Sequence, residues 1–565
     1  MPLSYLLAAL LLTLPLWLGR QPRLLGYGAD TAMHLWFLNW FPYAIGHGLN
    51  PFQTSIATHP STVSLLWNNA DLALALLAWP LFRVLPAAAA MDLVFVLMMA
   101  AAAAALAWQL RPHVRHASSA WLGGLLFGFS PFALSELAAG HLTWVSTATL
   151  PLGWWAGERA WRAARDGRHP VRWGMVLGGW AVLQYWVSKE LLATTLLMAV
   201  LLLVLNSRGI LRRGLPPLRR LWPVVAGALA VFGALMVYPV ISQLTSGVPL
   251  SRPTVVSPAA NVVDLLEWVV PGYAQLMGIG PAGALSLRYT GELLETDAYL
   301  GLPLLAMAAL AAWRLRGAPL ARLGAGLAGV AGVLSLGGQL HVAGVVTRVP
   351  LPWLLFEHLP LLGKAVPSRL TIFVVAGVAC LLAAGWDRVM ERFELRSRAL
   401  ILGVALLPLL PSSGLMAGIA GFPVYTPRVL SSAALRGLPA GASVLTIPIT
   451  TRENHGLAMY WQAEQGFRYS QPFGYLLRPG PGGVLTDNLS PSPLANLATA
   501  LSSGDAHPVG VSAAAVRLEL RRLGVRALVL MPSAQFAADE RELRGILGHS
   551  PELVDGAAIW PQPGA

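Results

Sequence analysis

The stretch GYGADTAMHLWFLNWFPYAIGHGLNP, residues 26–51, decides how the rest of the chain is interpreted. It directly follows the first apolar segment and contains one carboxylate, Asp30, set between small residues. The aromatic residues that crowd the next turns are typical of a helix at a membrane surface, where amphipathic rings lie at headgroup level. If residues 31–46 are helical, Asp30 lies at the N-terminus and His34 lies one turn further on. The simpler interpretation is that Asp30 only caps this helix.

The composition is that of a membrane protein. Of the 565 residues, 56% are hydrophobic and 12% are charged, and the mean hydropathy is +0.60. Soluble domains carry about 25% charged residues. The net charge of +13 comes from arginines clustered between apolar runs, which indicates membrane topology and not a nucleic-acid partner. The one cysteine, Cys380, lies in an apolar run, so neither a disulfide framework nor a thiolate metal site is expected.

Runs of about 20 apolar residues predict about eleven transmembrane helices. These runs lie at residues 3–19, 90–110, 119–134, 142–157, 173–188, 191–206, 221–242, 298–313, 323–340, 370–387 and 399–420. If each run spans once, the arginine clusters fall on one side of the membrane, and positive residues mark the cytoplasm. We therefore expect a multi-pass protein of the bacterial inner membrane with a cytoplasmic N-terminus.

One short segment decides the topology of the N-terminal part. The apolar run at 72–82 has only about 11 residues. A run this short is more often an interfacial helix than a membrane span, so we expect residues 70–85 to form an interfacial helix. Without a span there, residues 20–89 form a first outer loop and Asp30 is extracytoplasmic. With a span there, Asp30 faces the cytosol, and Arg20 and Arg23 favour that second arrangement.

Beyond residue 421 the composition becomes that of a soluble domain. Strand patterns occur at 442–447, 526–531 and 553–560, and helical patterns occur at 511–523 and 534–547. The sequence therefore predicts an all-α polytopic transmembrane domain over residues 1–420, followed by a small extracytoplasmic α/β domain over residues 421–565.

Ionisable residues collect at the predicted outer ends of the spans, where such groups are functional candidates. Glu190 is suited to orienting a base or a hydroxyl, and an arginine binds phosphate bidentately. Structural explanations remain open for each: a helix start for the acids, a self-neutralising Lys–Glu pair, and a snorkelling arginine. No metal ligands are assigned. The candidates for substrate binding are His34, His141, Lys189, Glu295, Asp297, Tyr299 and Arg369.

Several motifs follow one another along the first 420 residues. They are Trp67-Asn68, LLFGFSPF at 125–132, Gly140-His141-Leu142, AYLGLP at 298–303, and LLG at 361–363 leading to Pro367-Ser368-Arg369. Together with the short first span, the acid in the first loop, and the helices expected at 31–46 and 70–85, they resemble the GT-C class of integral membrane glycosyltransferases. The chain is more closely similar to the bacterial YfhO-like multispanning proteins.

The resemblance implies a catalytic base in the first outer loop, here Asp30, and a polyprenyl-phosphate sugar as donor. We expect inverting transfer of the sugar to an extracytoplasmic glycan, lipid or protein acceptor. Asp30 and Glu190 would be catalytic, and Arg369 and Lys189 would hold the departing phosphate.

Better-known members of the class have an adjacent Asp-Glu pair in this loop, whereas this chain has one acid. The second carboxylate and any divalent-cation requirement therefore stay open. The alternatives are a transporter or flippase of a lipid-linked or polar solute, and a non-catalytic envelope-assembly protein.

The topology is tested with reporter fusions. A periplasm-active reporter fused after Gly46 should be active, and the same reporter fused after Arg165 should be silent, because the arginine clusters mark the cytoplasmic side. A silent reporter after Gly46 would place Asp30 in the cytosol and would contradict an extracytoplasmic reaction.

Overall fold

The computed structural model describes residues 2–68, 71–207, 216–246, 257–359, 362–451, 454–480, 484–487, 489–503 and 511–564. The protein is mostly helical. It divides into two compact units, and each unit is built from two separate segments of the chain. The first unit comprises Met1–Trp17 and Leu93–Ala420, and the second comprises Leu18–Asp92 and Gly421–Ala565. The sequence predicted a single boundary near residue 420, but the second unit also includes the N-terminal segment.

Where the structure describes the first unit, its regular elements are helices apart from one antiparallel hairpin, formed by Gln339–Val342 and Val345–Pro350. Its helices are Pro2–Leu12, Leu14–Leu18, Ala87–Leu110 (which begins in the second unit), Ala117–Gly128, Pro131–Ala139, Leu142–Val145, Thr149–Asp166, Pro170–Val187, Lys189–Leu205, Leu218–Leu244, Gly280–Ser286, Leu302–Arg314, Pro319–Ser335, Thr371–Arg392, Leu395–Leu406 and Ser413–Ile419.

Four helical segments of the described residues are long and apolar enough to cross a membrane. They are Ala87–His113, Ala117–Ala139, Leu218–Leu244 and Pro367–Arg392. Shorter apolar helices lie at Pro2–Leu12, Leu72–Val84, Leu302–Arg314 and Pro319–Ser335. The protein is a membrane protein, and the expected number of about eleven spans stays a prediction.

Local breaks explain why several predicted spans are shorter than expected. The run 399–420 is interrupted because its helix ends at Leu406, and Pro408 cannot continue it. The run 298–313 becomes helical only at Leu302, since Gly301 has a φ of 75°, which is outside the helical region. The run 142–157 contains a break between two helices, after Val145.

The helix Thr371–Arg392 forms the centre of the first unit. It packs against Pro319–Ser335 and Ala117–Gly128, and most of its N-terminal half is buried. Small residues allow this close approach, because a Cβ on Gly377 would lie 2.6 Å from the main-chain oxygen of Gly324. The central helix thereby places the residues just before it, including Arg369, inside the unit.

The second unit contains a four-stranded sheet. Its strand order is Glu552–Val554, Ala557–Pro561, Val525–Leu530 and Ser443–Ile447; the last two are parallel and the other pairs antiparallel. Its helices are Ala29–Gly46, Leu72–Val84, Ala433–Arg436, Leu457–Glu464, Pro493–Ser503, Ala513–Arg522 and Phe536–Leu547. Three further pairs of two-residue strands join Arg23–Leu24 to Phe422–Pro423, Gln53–Thr54 to Val63–Ser64, and Arg478–Pro479 to Leu485–Thr486.

The sequence predicted one final strand over residues 553–560, and the structure has a hairpin there. Asp555 and Gly556 both have positive φ, at 48° and 81°, and form the turn between Glu552–Val554 and Ala557–Pro561. An Asp-Gly dipeptide favours such a two-residue turn because both residues tolerate positive φ. The prediction of one continuous strand over residues 553–560 was therefore wrong.

The helix predicted over residues 31–46 is present as Ala29–Gly46, here called the aromatic helix. Its aromatic residues predicted a membrane-surface helix, but Trp36, Phe37, Trp40 and Phe41 are buried in the second unit. Trp36 is fully buried, donates from Nε1 to Oε1 of Gln462 at 2.7 Å, and packs edge-on against Phe467. These contacts also explain why the N-terminal segment belongs to this unit.

The helix predicted over residues 70–85 is present as Leu72–Val84, and residue 70 lies outside the described residues. It has 13 residues, and Leu76, Leu77 and Trp79 are exposed. A helix of this length is shorter than a membrane span requires. Whether it lies in the interface stays a prediction.

Candidate functional site

The first unit brings six ionisable residues together, although they come from four separate parts of the chain. We call this group the carboxylate cluster. Two of its acids, Glu190 and Glu295, hydrogen-bond to the same arginine. Asp297 lies near enough to two other acids of the cluster, Glu136 and Glu295, for the charges to interact. The members of the cluster are Glu136, His141, Glu190, Glu295, Asp297 and Arg369.

Arg369 links the cluster and is held on two sides. Its Nη2 donates to Oε1 of Glu295 at 2.6 Å, and its Nε reaches the same carboxylate at 3.1 Å. Its Nη1 donates to Oε2 of Glu190 at 3.0 Å. The guanidinium also lies 5.1 Å from the ring centroid of Trp144, a cation–π distance. A fork of planar donors suits this bidentate arrangement, which a lysine could not reproduce.

A helix start positions Glu190. Ser188 is the N-cap of the helix Lys189–Leu205, and its hydroxyl accepts a hydrogen bond from the main-chain N–H of Leu191 at 3.1 Å. Glu190 therefore lies in the first turn. Its second oxygen accepts from the main-chain N–H of Val366 at 2.7 Å, which ties it to the segment that carries Arg369.

A tight turn positions Glu136 and His141. The helix Pro131–Ala139 ends at Gly140, whose φ of 79° is the left-handed conformation that favours glycine. The turn brings the imidazole back over the last helical residues, and Nδ1 of His141 lies 2.6 Å from Oε2 of Glu136. Glu136 is completely buried.

The loop before the helix Leu302–Arg314 carries Glu295 and Asp297. The main-chain N–H of Ala298 donates to Oε1 of Glu267 at 2.8 Å, which anchors the loop next to both acids. Glu267 is itself buried, and burial raises its pKa to about 8. The loop is thus fixed by buried side chains and not by a helix.

The pKa values of the two acids of this loop are shifted in opposite directions. Burial opposes the ionisation of Glu295, but the charges of Arg369 and His141 outweigh it, so the pKa of Glu295 is lowered. The pKa of Asp297 is raised well above its usual value, because the group is buried and three other carboxylates repel its charge. An additional positive charge at this position would favour the ionised form of Asp297.

Three members of the cluster lie close enough together to share one metal ion. One ligand atom from each of Glu136, His141 and Glu295 lies within 4.8 Å of the others. Two buried oxygens, Oε1 of Glu136 and Oδ2 of Asp297, have no hydrogen-bond partner within the described part of the chain. A divalent cation would satisfy both the orphaned oxygens and the excess of negative charge. The sequence predicted no metal ligands, and Glu136 was not among its candidate site residues.

The other sequence candidates lie outside this cluster. Lys189 directs its ammonium over the ring of Tyr185, 5.6 Å from the centroid. Tyr299 is buried in the hydrophobic core of the first unit. Asp30 and His34 belong to the second unit, where both lie on the aromatic helix.

The aromatic helix is not capped by Asp30. Its N-cap is Gly28, and the half-buried Asp30 lies in the first turn, where a negative charge is favourable because of the helix dipole. The predicted position of Asp30 at the helix start is therefore confirmed, whereas the explanation as a cap is not supported. His34 pairs through Nδ1 with Asp71, a residue that the sequence candidates omitted.

Comparison with solved structures shows the class of fold. A cryo-EM structure of the arabinofuranosyltransferase AftD from Mycobacteria matches 99% of this chain, with a TM-score of 0.55 and 14% sequence identity. The chain has a GT-C class fold. It spans 41% of the length of the AftD chain. The predicted GT-C class is thus confirmed at the level of the fold.

A second similar structure is the oligosaccharyltransferase AglB from Archaeoglobus fulgidus, solved with an inhibitory peptide and a dolichol-phosphate. It matches 95% of this chain, which covers 70% of AglB, with a TM-score of 0.44 and 12% identity. A match this distant adds nothing to the argument for the fold. No protein-family model matches the chain, and no curated protein matches it in sequence.

The ion pairs of the cluster are tested by Arg369→Leu. This change leaves the buried Glu295 and the half-buried Glu190 without their cation, which costs about 3–5 kcal/mol where the pair is fully buried and less where it is partly exposed. The measurement is the midpoint of thermal unfolding in detergent, with the exposed Arg348→Leu as control. Adding Glu190→Gln and Glu295→Gln should restore most of the lost stability. A triple variant as unstable as Arg369→Leu would contradict the ion-pair explanation.

Proposed function

We propose that this protein is a glycosyltransferase that moves a sugar from a polyprenyl-phosphate carrier to an extracytoplasmic glycan, glycolipid or protein. The observation that carries the proposal is a buried cluster of carboxylates, histidine and arginine, with two orphaned carboxylate oxygens, in a membrane protein of GT-C fold. The phosphate of a lipid-linked donor is stabilised by positive charge beside it. A cation bound to this cluster would supply that charge.

Glu136, His141 and Glu295 would hold a divalent cation, which when bound would stabilise the negative charge of the donor phosphate. Glu136 also orients His141 through the bond to Nδ1, which fixes the direction of the imidazole within the cluster. Asp297 supplies a further carboxylate oxygen at the same place.

Arg369 would divide its N–H donors between the two acids and the donor phosphate. Three of its five N–H donors are occupied by Glu190 and Glu295, and one N–H on each terminal nitrogen remains for the donor phosphate. Glu190 acts here by holding Arg369 and the backbone of Val366, in place of the base-orienting role expected from the sequence. Lys189, Tyr299 and His34 remain proposed binding residues.

Asp30 is the proposed base. An acceptor oxygen attacks the anomeric carbon of the donor, the bond from that carbon to the phosphate oxygen breaks, and the acceptor proton passes to the Asp30 carboxylate. One displacement inverts the anomeric configuration. We place this reaction on the outer face of the bacterial inner membrane, with a cytoplasmic N-terminus and an extracytoplasmic C-terminal region.

Binding of a cation is tested by Glu136→Gln. The change keeps the size of the side chain but removes a charged ligand, so the affinity for Mn²⁺ should fall by about tenfold or more. Isothermal titration of the purified protein measures this, with Glu391→Gln as a matched control outside the cluster. Equal affinity of the wild type and Glu136→Gln for Mn²⁺ would rule out this cation site.

The base is tested by Asp30→Asn, which keeps the size of the side chain. Asparagine also keeps a side-chain oxygen, and Asp30 is not the N-cap residue of its helix, so the fold should be kept. Sugar transfer should fall by about 10² to 10⁴, the range for a positioned acid–base group, while the KM for the donor stays unchanged. Asp166→Asn, at an exposed helix end, is the control. Near-normal transfer by Asp30→Asn would redirect the search to Glu190, Glu295 and Asp297.

A further inference from the structure

Asp71 occupies the position of a helix cap without acting as one. It is the N-cap residue of the helix Leu72–Val84, but its side chain makes no capping hydrogen bond. The carboxylate instead pairs with Nδ1 of His34, and both side chains are buried, with exposed fractions of 0% for Asp71 and 4% for His34. An aspartate at an N-cap ordinarily accepts from the first helical N–H groups. The pairing with His34 has replaced that interaction.

The backbone of Asp71 is also unusual. Its φ of 44° and ψ of 33° lie in the left-handed region, which costs energy for a residue with a Cβ. A glycine would adopt this conformation without strain, but it would supply no carboxylate. Strained backbone of this kind often marks a functional position, and here the strain directs the carboxylate towards the imidazole.

His34 lies on the same face of the aromatic helix as Asp30, one turn further on. In the part of the chain that the structure describes, Asp71 is the one hydrogen-bond partner of the imidazole. A carboxylate accepts from Nδ1–H, and this sets the tautomer in which Nε2 carries a lone pair. Nε2 is then an acceptor, within one helical turn of Asp30.

We propose that Asp71 is a positioning residue that fixes the tautomer of His34. In this state Nε2 accepts a hydrogen bond from a hydroxyl of a polyhydroxylated acceptor and orients the acceptor next to Asp30. The inference rests on the proposed function, in which Asp30 takes the proton from the acceptor. It assigns acceptor recognition to the second unit and identifies the recognised group chemically as a hydroxyl.

The test uses Asp71→Asn in the full-length protein. Asparagine has the same shape, tolerates the left-handed conformation and caps a helix, so the fold should be kept. Its amide can donate to Nδ1, however, and this reverses the tautomer, so that Nε2 becomes a donor. The matched control is Asp555→Asn, because Asp555 is exposed and has a similar φ of 48°.

Two readouts are measured. We expect kcat/KM for the acceptor to fall by about tenfold or more in Asp71→Asn, the equivalent of one hydrogen bond, while the KM for the donor is unchanged. In ¹⁵N-histidine NMR, the signal that disappears in His34→Gln should show a protonated Nδ1 and an unprotonated Nε2 in the wild type. That pattern should be reversed in Asp71→Asn.

Each outcome decides the proposal. Unchanged acceptor kinetics in Asp71→Asn would overturn it. A loss of activity that accompanies a lower unfolding temperature and an unchanged tautomer would make Asp71 a structural link between two helices, and this too would overturn it. If the wild type transfers no sugar from any polyprenyl-phosphate donor, the proposed function fails. The NMR measurement then decides the tautomer separately, and a protonated Nε2 in the wild type would overturn the role of Asp71.

Discussion

The sharing of Arg369 between Glu190 and Glu295 is the constraint on which the first unit depends. Several carboxyl groups lie close together there, away from water, and taking charged groups out of water is costly unless they are paired. One guanidinium offsets two of them, and the imidazole of His141 pairs with Glu136. Four carboxyl groups against these two partners leave an excess of acids over cations, and burial and repulsion between the acids raise the pKa of Asp297. The excess separates this cluster from an ordinary buried ion pair and makes a cation its natural complement.

The position of Arg369 depends in turn on the packing of small residues. The central helix Thr371–Arg392 approaches its neighbours through glycines such as Gly377 and Gly324, with no room for a Cβ. A larger side chain there would move the helix and, with it, the arginine at its entrance. The four acids lie on two helices and one loop of the first unit, so the cluster forms only when these elements have packed together.

Local features of the site could be predicted from the sequence, whereas its pairings could not. Glu190 and Arg369 both stand at the predicted outer ends of apolar runs, so both were found as candidates. The partner choice of Arg369 depends on how distant helices pack, which no local pattern encodes. Glu136 was undervalued because it looks like one charge at the edge of an apolar run. The aromatic helix was misplaced for a related reason: rings on every face suit both a membrane surface and a buried core.

The discontinuity of the second unit has a consequence for the way this protein is made. Trp36 and Gln462 are 426 residues apart, and the whole of Leu93–Ala420 is synthesised between them. At a translation rate of about 5–20 residues per second, the aromatic helix waits roughly 20–90 s for its partners. During that time the apolar surface of the aromatic helix lacks its native contacts with the C-terminal segment of the second unit. The helix Leu72–Val84 is the neighbour it can pack against early, and the core of the second unit is completed only after Leu93–Ala420 has been synthesised.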